Sequence, residues 1–211
     1  MQIAKPQKTH LVVKFERHGH NPLSYSKNSP STWPPHSIFV LMGFGTTVLL
    51  VFWAFFSAWF SVIDDCDEVY NYWEPVHHLL YGGGFQTWEY APQFALRSYW
   101  YPGAMALIGY PLSFFLPKLA VFFALRLVLG LFYASCAQFF INSCPPWESS
   151  KISVFSALLT IGTCTAGSFA ASTALLPNSL SMCLYMVTFG CWMRGLPAFA
   201  VIFGALGWTF V

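Results

Sequence analysis

The stretch that decides the fold is SIFVLMGFGTTVLLVFWAFFSAWFSVI (Ser37–Ile63) followed by DDCDEVYNYWEPVHHLLYGGGFQTWE (Asp64–Glu89). Its first part has 27 residues and no charge, which is long enough for a helix to cross a bilayer. Its second part, which we call the acidic segment, holds six of the eight acidic residues of the chain. Acidic side chains beside a membrane are costly and usually functional. We therefore expect the functional residues to follow the first membrane helix.

The composition is that of a membrane protein. Of the 211 residues, 56% are hydrophobic and only 9% are charged, whereas an average soluble domain carries roughly 25% charged residues. We therefore predict an all-α, polytopic membrane protein with lipid as a partner. We expect no nucleic-acid partner for this chain, whose net charge is only +2.

The charges of the N-terminal tail predict the orientation of the chain. Residues 1–36 carry five basic residues and one acidic residue, a local net charge of +4. The positive-inside rule places this tail in the cytosol, and its Pro- and Ser-rich composition predicts disorder. The remainder, 37–211, is then the membrane region, with a first loop at 64–98 on the opposite side, in a lumen or outside the cell.

Further apolar runs follow the loop and predict five or six membrane spans. After the first helix, Ile38–Val62, the runs are Tyr99–Leu116, Leu119–Ile141, Ile152–Ala174, Leu180–Met193 and Ala198–Val211. Lys118 is predicted at a cytosolic turn, and simple alternation puts the loop Asn142–Lys151 and Arg194 on the lumenal side, the latter against the charge rule. Because the chain stops inside an apolar run, we expect a truncated protein or a fragment, with a natural end as the alternative.

The acidic segment has a helical pattern of its own. Apolar residues recur near helical spacing from Val69 to Leu80, beside polar ones, which predicts an amphipathic helix at the membrane surface. The run Gly82–Gly84 is expected to end it, because glycine readily adopts the positive φ of a helix terminus.

The acids suggest more than one chemistry. Crowding and partial burial of Asp64, Asp65, Asp67 and Glu68 should raise at least one pKa. Such a carboxylate can accept a proton from a hydroxyl nucleophile as a general base. Asp65-Cys66-Asp67 is also a D-x-D pattern, whose oxygens can hold a divalent ion. The pattern alone fits equally well a solvated loop at the membrane boundary.

Five other residues carry expectations from their position. Glu74 can share a helix face with His77 or His78, for interfacial hydrogen bonding or for catalysis. Arg97 can pair with a phosphate or with one of the acids, or extend to the headgroup level. Arg126 falls inside a predicted span, where its charge requires a buried partner.

The residues 65–102, DCDEVYNYWEPVHHLLYGGGFQTWEYAPQFALRSYWYP, resemble the first lumenal region of the endoplasmic-reticulum mannosyltransferases that use dolichyl-phosphate mannose, glycosyltransferase family 22. The resemblance rests on the blocks D-C-D-E, N-Y-W-E-P, Y-G-x-G-F-Q-T-W-E-Y and R-S-Y. A later stretch, SFAASTALLPNSLSMCLY, is similar to the family as well. Within the family, the α-1,2-mannosyltransferases of lipid-linked oligosaccharide assembly are the most similar.

This resemblance implies a GT-C fold, residence in the endoplasmic-reticulum membrane and an inverting transfer of mannose to a mannose 2-hydroxyl of the lipid-linked oligosaccharide. It implies Asp67 as the catalytic base, with Asp65 and Glu68 next. Arg97 becomes a candidate contact for the donor phosphate or an acid, and Glu74 extends the polar face. Three aromatic residues are candidates for stacking on sugars or for interfacial anchoring: Trp73, Trp88 and Tyr90.

The resemblance implies no cofactor, since the donor is dolichyl-phosphate mannose. A donor with one phosphate needs a metal less than a nucleotide sugar does, so we expect no metal ligands, although a divalent metal stays open. Two other functions remain as alternatives. One is a catalytically silent fragment of such an enzyme, and the other is a transporter that uses the acids as a cation or proton site, although such sites usually lie near the membrane midplane.

Overall fold

The apolar runs of the sequence fold as helices. The computed structural model describes residues 36–143, 162 and 165–209, with side chains from residue 44 onward. Its α-helices are α1 (His36–Phe60), α2 (Glu74–Tyr81), α3 (Trp100–Ser113), α4 (Lys118–Ser143), α5 (Ala166–Thr173), α6 (Pro177–Met193) and α7 (Pro197–Trp208). A π-helical turn, Glu68–Trp73, leads into α2, and a 3-10 turn, Trp88–Tyr90, lies between α2 and α3. The all-α prediction is confirmed for the described residues.

Several predictions concern residues outside this description. One is the disorder predicted for the N-terminal tail, of which only residue 36 is described. The others are the predicted loop Asn142–Lys151 and the predicted span Ile152–Ala174, of which the structure describes only part. All described residues belong to one compact unit, Trp33–Val211.

Helix α4 is the centre of the packing, in contact with α1, α3, α5 and α6. It runs antiparallel to α1, since Thr46 in the first half of α1 bonds to Gln138 near the end of α4 at 2.8 Å. At the other end, Arg126 of α4 donates to the carbonyl of Ser61, just after α1. The buried core of this contact includes Leu50 and Ala54 from α1 and Tyr133 and Ala137 from α4.

Helix α3 is too short for the membrane span predicted at Tyr99–Leu116. It has 14 residues, about 21 Å of helix, whereas the hydrocarbon core is about 30 Å thick. It packs on α2, and the Leu80 side chain closes on Gly109. The Lys118 ammonium lies 4.7 Å from the centre of the Tyr81 ring, at the end of α2. The prediction that Lys118 marks a turn on the opposite side from the acidic segment is therefore wrong: α2, α3 and the start of α4 lie at the same end of the bundle.

The other end of the bundle is marked by Arg194. Helix α6 starts beside the acidic segment, where the Leu175 amide donates to Glu68 at 2.9 Å. It runs parallel to α4, and the Arg194 Nε after its end donates to Ser143 Oγ at 2.8 Å. Simple alternation had put Arg194 and the loop from Asn142 on the side of the acidic segment. For Arg194 this prediction is wrong. Helix α3 is too short to cross the bilayer, so α4 begins at the same end of the bundle as the acidic segment, and Arg194 lies at the other end, after the parallel helix α6.

One described helix is long and apolar enough to cross a membrane by itself, α4 with 26 residues. Helices α5 and α6 meet the same criterion only together, as a pair bent by 110° at the break before Pro177. Phe44–Phe60 of α1 and Pro197–Trp208 are apolar but shorter. The described residues thus support one or two of the five or six predicted spans.

Glycine at position 130 lets three helices approach closely. A Cβ there would lie 2.8 Å from Thr173 Cγ2 and 3.1 Å from Ala54 Cβ. We expect Gly130→Ala to destabilise the fold by about 1–3 kcal/mol, the usual cost of overpacking a well-packed core. Thermal unfolding in detergent measures this effect. Gly45→Ala is the matched control, because nothing lies within 4 Å of its new methyl group; equal midpoints for both variants would contradict the expectation.

Candidate active site

A wide helical turn near the start of the acidic segment places the neighbouring acids Asp67 and Glu68 in different surroundings. Glu68–Trp73 is π-helical, a form that recurs at functional sites. Glu68 and Asn71 are buried in this turn, whereas the carboxylate of Asp67 is 36% exposed. Helix α2 then ends at Gly82, whose φ of 72° lies in the left-handed region and whose amide donates to the His78 carbonyl. The predicted helix and its glycine terminus are therefore confirmed, although its first part is π-helical; its place at the membrane surface stays a prediction.

Glu68 lies in the core. Its side chain is 3% exposed, and Oε1 lies 3.6 Å from Nε of Arg126, which is 1% exposed. The same oxygen accepts the Leu175 amide at 2.9 Å, and the Arg126 guanidinium also bonds to Ser61. Burial raises the pKa of Glu68 above its ordinary value, although the Leu175 amide and Arg126 oppose this shift. The buried partner predicted for Arg126 is thus Glu68.

Asp67 is ordered by hydrogen bonds and still accessible. Its Oδ1 accepts from Asn71 Nδ2 at 2.8 Å, and its Oδ2 accepts from Arg97 Nη2 at 2.7 Å. Asn71 is held in turn by Thr87, whose hydroxyl donates to Oδ1 at 2.7 Å, and by Tyr90, whose hydroxyl donates to the Asn71 carbonyl at 2.6 Å. A carboxylate has about four acceptor positions, so Asp67 retains capacity for a further donor.

Arg97 joins two carboxylates. Its Nε donates to Glu89 at 2.5 Å, its Nη2 donates to Asp67, and its Nη1 donates to the Tyr72 hydroxyl at 2.6 Å. Burial works against the charge, but the hydrogen bonds to Asp67 and Glu89 outweigh it and raise the pKa of the guanidinium. Of the two predicted partners of Arg97, a phosphate or an acid, the structure contains the acid.

A strained residue shapes the loop that carries Arg97. Ala95 has a φ of 46°, a left-handed conformation that is uncommon for a residue with a side chain. This bend lets the amides of Leu96 and Arg97 both donate to the Glu89 carbonyl, at 3.0 and 3.3 Å. Backbone strain of this kind clusters at functional sites, and here it brings Glu89 and Arg97 together.

A polar pocket of about 560 Å³ opens beside this ion pair. This volume falls within the range of small-molecule sites. The residues that line it are Tyr72, Glu89, Leu96, Arg97, Ser98, Trp100, Tyr101, Pro177 and Thr209. Asp67 does not line this pocket itself. It is hydrogen-bonded to Arg97, which does line it.

The remaining predicted binding residues lie elsewhere. The Trp73 ring packs on Phe122 in the core between α2 and α4, and Glu74 accepts the Phe85 amide at 2.9 Å, which holds the glycine-rich turn. Trp88 is exposed and packs on Phe94. Tyr90 is buried, which raises the pKa of its hydroxyl. None of these four lines the pocket, and their part in substrate binding stays a prediction.

The D-x-D pattern folds on itself. The Oδ1 of Asp65 accepts the Asp67 amide at 2.9 Å. Potential ligand atoms of Asp65, Cys66 and Asp67 lie within 4.8 Å of one another, so these residues are the candidates for a cation. The carboxylate of Asp67 is already bonded to Asn71 and Arg97, and a cation would compete with that guanidinium.

Four residues that the sequence did not single out belong to the site: Asn71, Tyr72, Glu89 and Trp100. A signal existed for two of them. Asn71 lies four residues after Asp67, a spacing at which side chains meet if the predicted helix begins two residues earlier than Val69. Glu89 is an acid eight residues before Arg97 within a turn-rich stretch. The sequence carries no comparable signal for Tyr72 and Trp100.

Comparisons with known proteins agree with the resemblance of the sequence. Residues 46–211 match the family model described as "Alg9-like mannosyltransferase family". The α-1,2-mannosyltransferase ALG9 of Arabidopsis thaliana is 39% identical over 170 residues, which cover 77% of this chain and 29% of that relative. The α-1,2-mannosyltransferase alg9 of Schizosaccharomyces pombe is 38% identical over 192 residues, 86% of this chain and 32% of the relative.

The human protein named α-1,2-mannosyltransferase ALG9 is 37% identical over 164 residues, 73% of this chain and 26% of that relative. The chain thus spans about 26–32% of the length of these relatives. No solved structure matches the chain significantly.

Proposed function

This chain belongs to the Alg9-like mannosyltransferase family, and on that premise we propose that the protein transfers mannose from dolichyl-phosphate mannose to a lipid-linked oligosaccharide. The proposed new bond is an α-1,2 linkage to a mannose of the acceptor; the relatives are named α-1,2-mannosyltransferases, which supports the linkage. Because the chain spans only about 26–32% of the length of these relatives, we propose the activity for the complete gene product.

The proposed reaction is one displacement at the anomeric carbon of the donor. The acceptor 2-hydroxyl loses its proton to a carboxylate while its oxygen attacks C1 of the mannosyl group. The bond between C1 and the phosphate oxygen breaks, and dolichyl phosphate leaves with the electron pair. Since the donor is β-linked and the product α-linked, a single inversion suffices and no covalent enzyme intermediate is needed.

Asp67 is the proposed general base. The observation that carries this assignment is the contrast between two adjacent acids: Asp67 is 36% exposed and Glu68 is 3% exposed. A general base must come within hydrogen-bond reach of the proton it removes, which the burial of Glu68 prevents. Asn71 and Arg97 hold the two oxygens of Asp67 in place, which fixes the direction of its remaining lone pairs.

Asp65 is proposed to position Asp67 rather than to take part in the reaction itself. Its carboxylate caps the Asp67 amide and thus sets the backbone at the base. We propose a step without a metal, because Arg97 already compensates the charge of Asp67 and the donor carries a single phosphate. Unchanged turnover after treatment with a chelator is the expected result; loss of activity that added Mn²⁺ or Mg²⁺ restores would contradict it.

The proposed location is the endoplasmic-reticulum membrane, in a multi-pass arrangement with a cytosolic N-terminus and a lumenal acidic segment. Large apolar side chains along α1 are exposed, among them Phe52, Phe56 and Trp59, a surface that lipid would cover. If α1 and α4 both cross, then α2 and α3 are lumenal surface helices, and Arg194 is cytosolic in accordance with the positive-inside rule.

Cysteine labelling tests this topology. In sealed microsomes, we expect a membrane-impermeant maleimide to label Arg194→Cys but neither Lys118→Cys nor the exposed native Cys66. The latter two should react only after the membrane is permeabilised. Each cysteine is tested in a background whose other cysteines are replaced by serine. Labelling of Lys118→Cys in sealed microsomes would contradict the arrangement.

Direct transfer tests the function. Microsomes from cells that lack the α-1,2 step receive the complete gene product or, separately, the 211-residue chain, together with labelled dolichyl-phosphate mannose. We expect the complete product to add mannose that an α-1,2-mannosidase removes. GDP-mannose, supplied while dolichyl-phosphate mannose synthesis is blocked, is the matched donor control. Transfer from GDP-mannose alone, or no transfer from either donor, would refute the proposal.

A further inference from the structure

The polar pocket beside Arg97 contains groups that suit a neutral sugar. The residues that line it include one with a carboxylate (Glu89), one with a guanidinium (Arg97), one with a hydroxyl (Ser98) and a tryptophan that is 64% exposed (Trp100). Carboxylates and guanidinium groups form directed hydrogen bonds with neighbouring hydroxyls. An exposed aromatic face offers an apolar platform to the C–H face of a pyranose.

The charge of the pocket argues against a phosphate. Arg97 is paired at 2.7 Å with Asp67 and at 2.5 Å with Glu89, so one positive charge faces two negative ones. Arg97 is the only cationic side chain among the described residues that line the pocket. An anionic phosphodiester placed there would meet a guanidinium already paired with two carboxylates, one of which, Glu89, lines the pocket itself, whereas a neutral polyol would meet paired donors and acceptors. Arg97 is therefore better suited to orient carboxylates than to bind the donor phosphate.

We propose that this pocket is the subsite for the accepting mannose, with Trp100 as its platform and Glu89 as its hydrogen-bonding anchor. The proposal rests on the proposed function and extends it to the acceptor. Arg97 contacts both Glu89 and Asp67, so a pyranose held by Glu89 lies next to the proposed base. The donor has the same sugar chemistry, but its phosphate favours a place away from this pair.

Steady-state kinetics of the complete gene product distinguish the two sugars. Trp100→Ala removes the platform, and we expect the acceptor KM to rise about three- to tenfold, the range of a single aromatic contact. Glu89→Gln removes a charged hydrogen-bond acceptor, and we expect a rise of about ten- to a hundredfold. The donor KM should stay within about twofold. Trp192→Ala is the control for the indole, since it is an exposed tryptophan beside the opposite end of the bundle.

A binding measurement separates this proposal from the assignment of the base. The lipid-linked oligosaccharide that accumulates in cells lacking the α-1,2 step is titrated into Asp67→Asn protein with and without Trp100→Ala or Glu89→Gln. Weaker binding of the double variants is expected whether or not Asp67 is the base. Unchanged acceptor affinity, or a rise in the donor KM instead of the acceptor KM, would overturn the subsite. Full activity of Asp67→Asn alone would overturn the base and leave the subsite standing.

Discussion

Replacing Asp67 by asparagine in the complete gene product is expected to lower the rate of mannosyl transfer by about 10²–10⁴-fold, the usual contribution of a general base. This loss corresponds to about 3–5 kcal/mol of transition-state stabilisation. The amide keeps the shape of the side chain and an oxygen for Arg97 or Asn71, but it does not take a proton from the acceptor. The rate of labelled mannose transfer at saturating donor and acceptor measures the effect.

Two controls make the result specific to the base. Asp64→Asn removes an exposed acid three residues away and is expected to leave the rate within about twofold. Thermal unfolding checks that Asp67→Asn is folded, since Arg97 still has Glu89 as a partner. A folded Asp67→Asn protein with the unaltered rate would refute the assignment, and an equal loss in Asp64→Asn would point to the charge of the segment as a whole.

Removing the carboxylate of Glu68 is expected to have the largest effect on stability. Glu68→Ala leaves the Arg126 guanidinium buried without its carboxylate and the Leu175 amide without its acceptor. Breaking a buried ion pair from one side costs about 3–5 kcal/mol. Because Glu68 connects the acidic segment to α4 and to the link before α6, we expect the unfolding temperature of the complete gene product in detergent to fall markedly.

A double-variant cycle tests whether the pair causes this effect. Glu68→Leu combined with Arg126→Leu replaces both charges, and we expect it to be more stable than either single variant, because no uncompensated charge stays in the core. Asp65→Ala is the control, an exposed acid expected to change stability far less. Additive losses in the double variant would show that the two residues stabilise the fold independently.

Local sequence patterns were sufficient to predict parts of the fold. The uncharged run predicted α1, helical spacing predicted α2, and the glycine run predicted its end at Gly82. The sequence also predicted that Arg126 has a buried partner, because an arginine in an apolar helix cannot stay uncompensated. In each case the deciding physics acts within a few residues or within one helix.

The errors concern how helices are arranged. Tyr99–Leu116 has the composition of a membrane span, but α3 has only 14 residues, and one of its faces packs on α2 and α4 while large apolar side chains such as Leu107 stay exposed on the other. Composition alone does not distinguish such a helix from one that crosses the bilayer. Because α3 was predicted to cross the membrane, Lys118 and Arg194 were each predicted on the wrong side. When sides are assigned by simple alternation, one wrong crossing reverses the side predicted for every later helix end. The contact between Glu89 and Arg97 was not predicted for a related reason: the two residues come close only because the chain bends at Ala95.

The sequence by itself determined that the chain is helical and apolar, where its acids gather, and which family it belongs to, because composition, periodicity and motifs are properties of contiguous residues. Only the tertiary structure decided which acid is buried and which is accessible. Glu68 and Asp67 are neighbours of similar chemistry, and they differ because Arg126 and Leu175, distant in sequence, meet one carboxylate in the core while Asn71 and Arg97 hold the other beside a pocket.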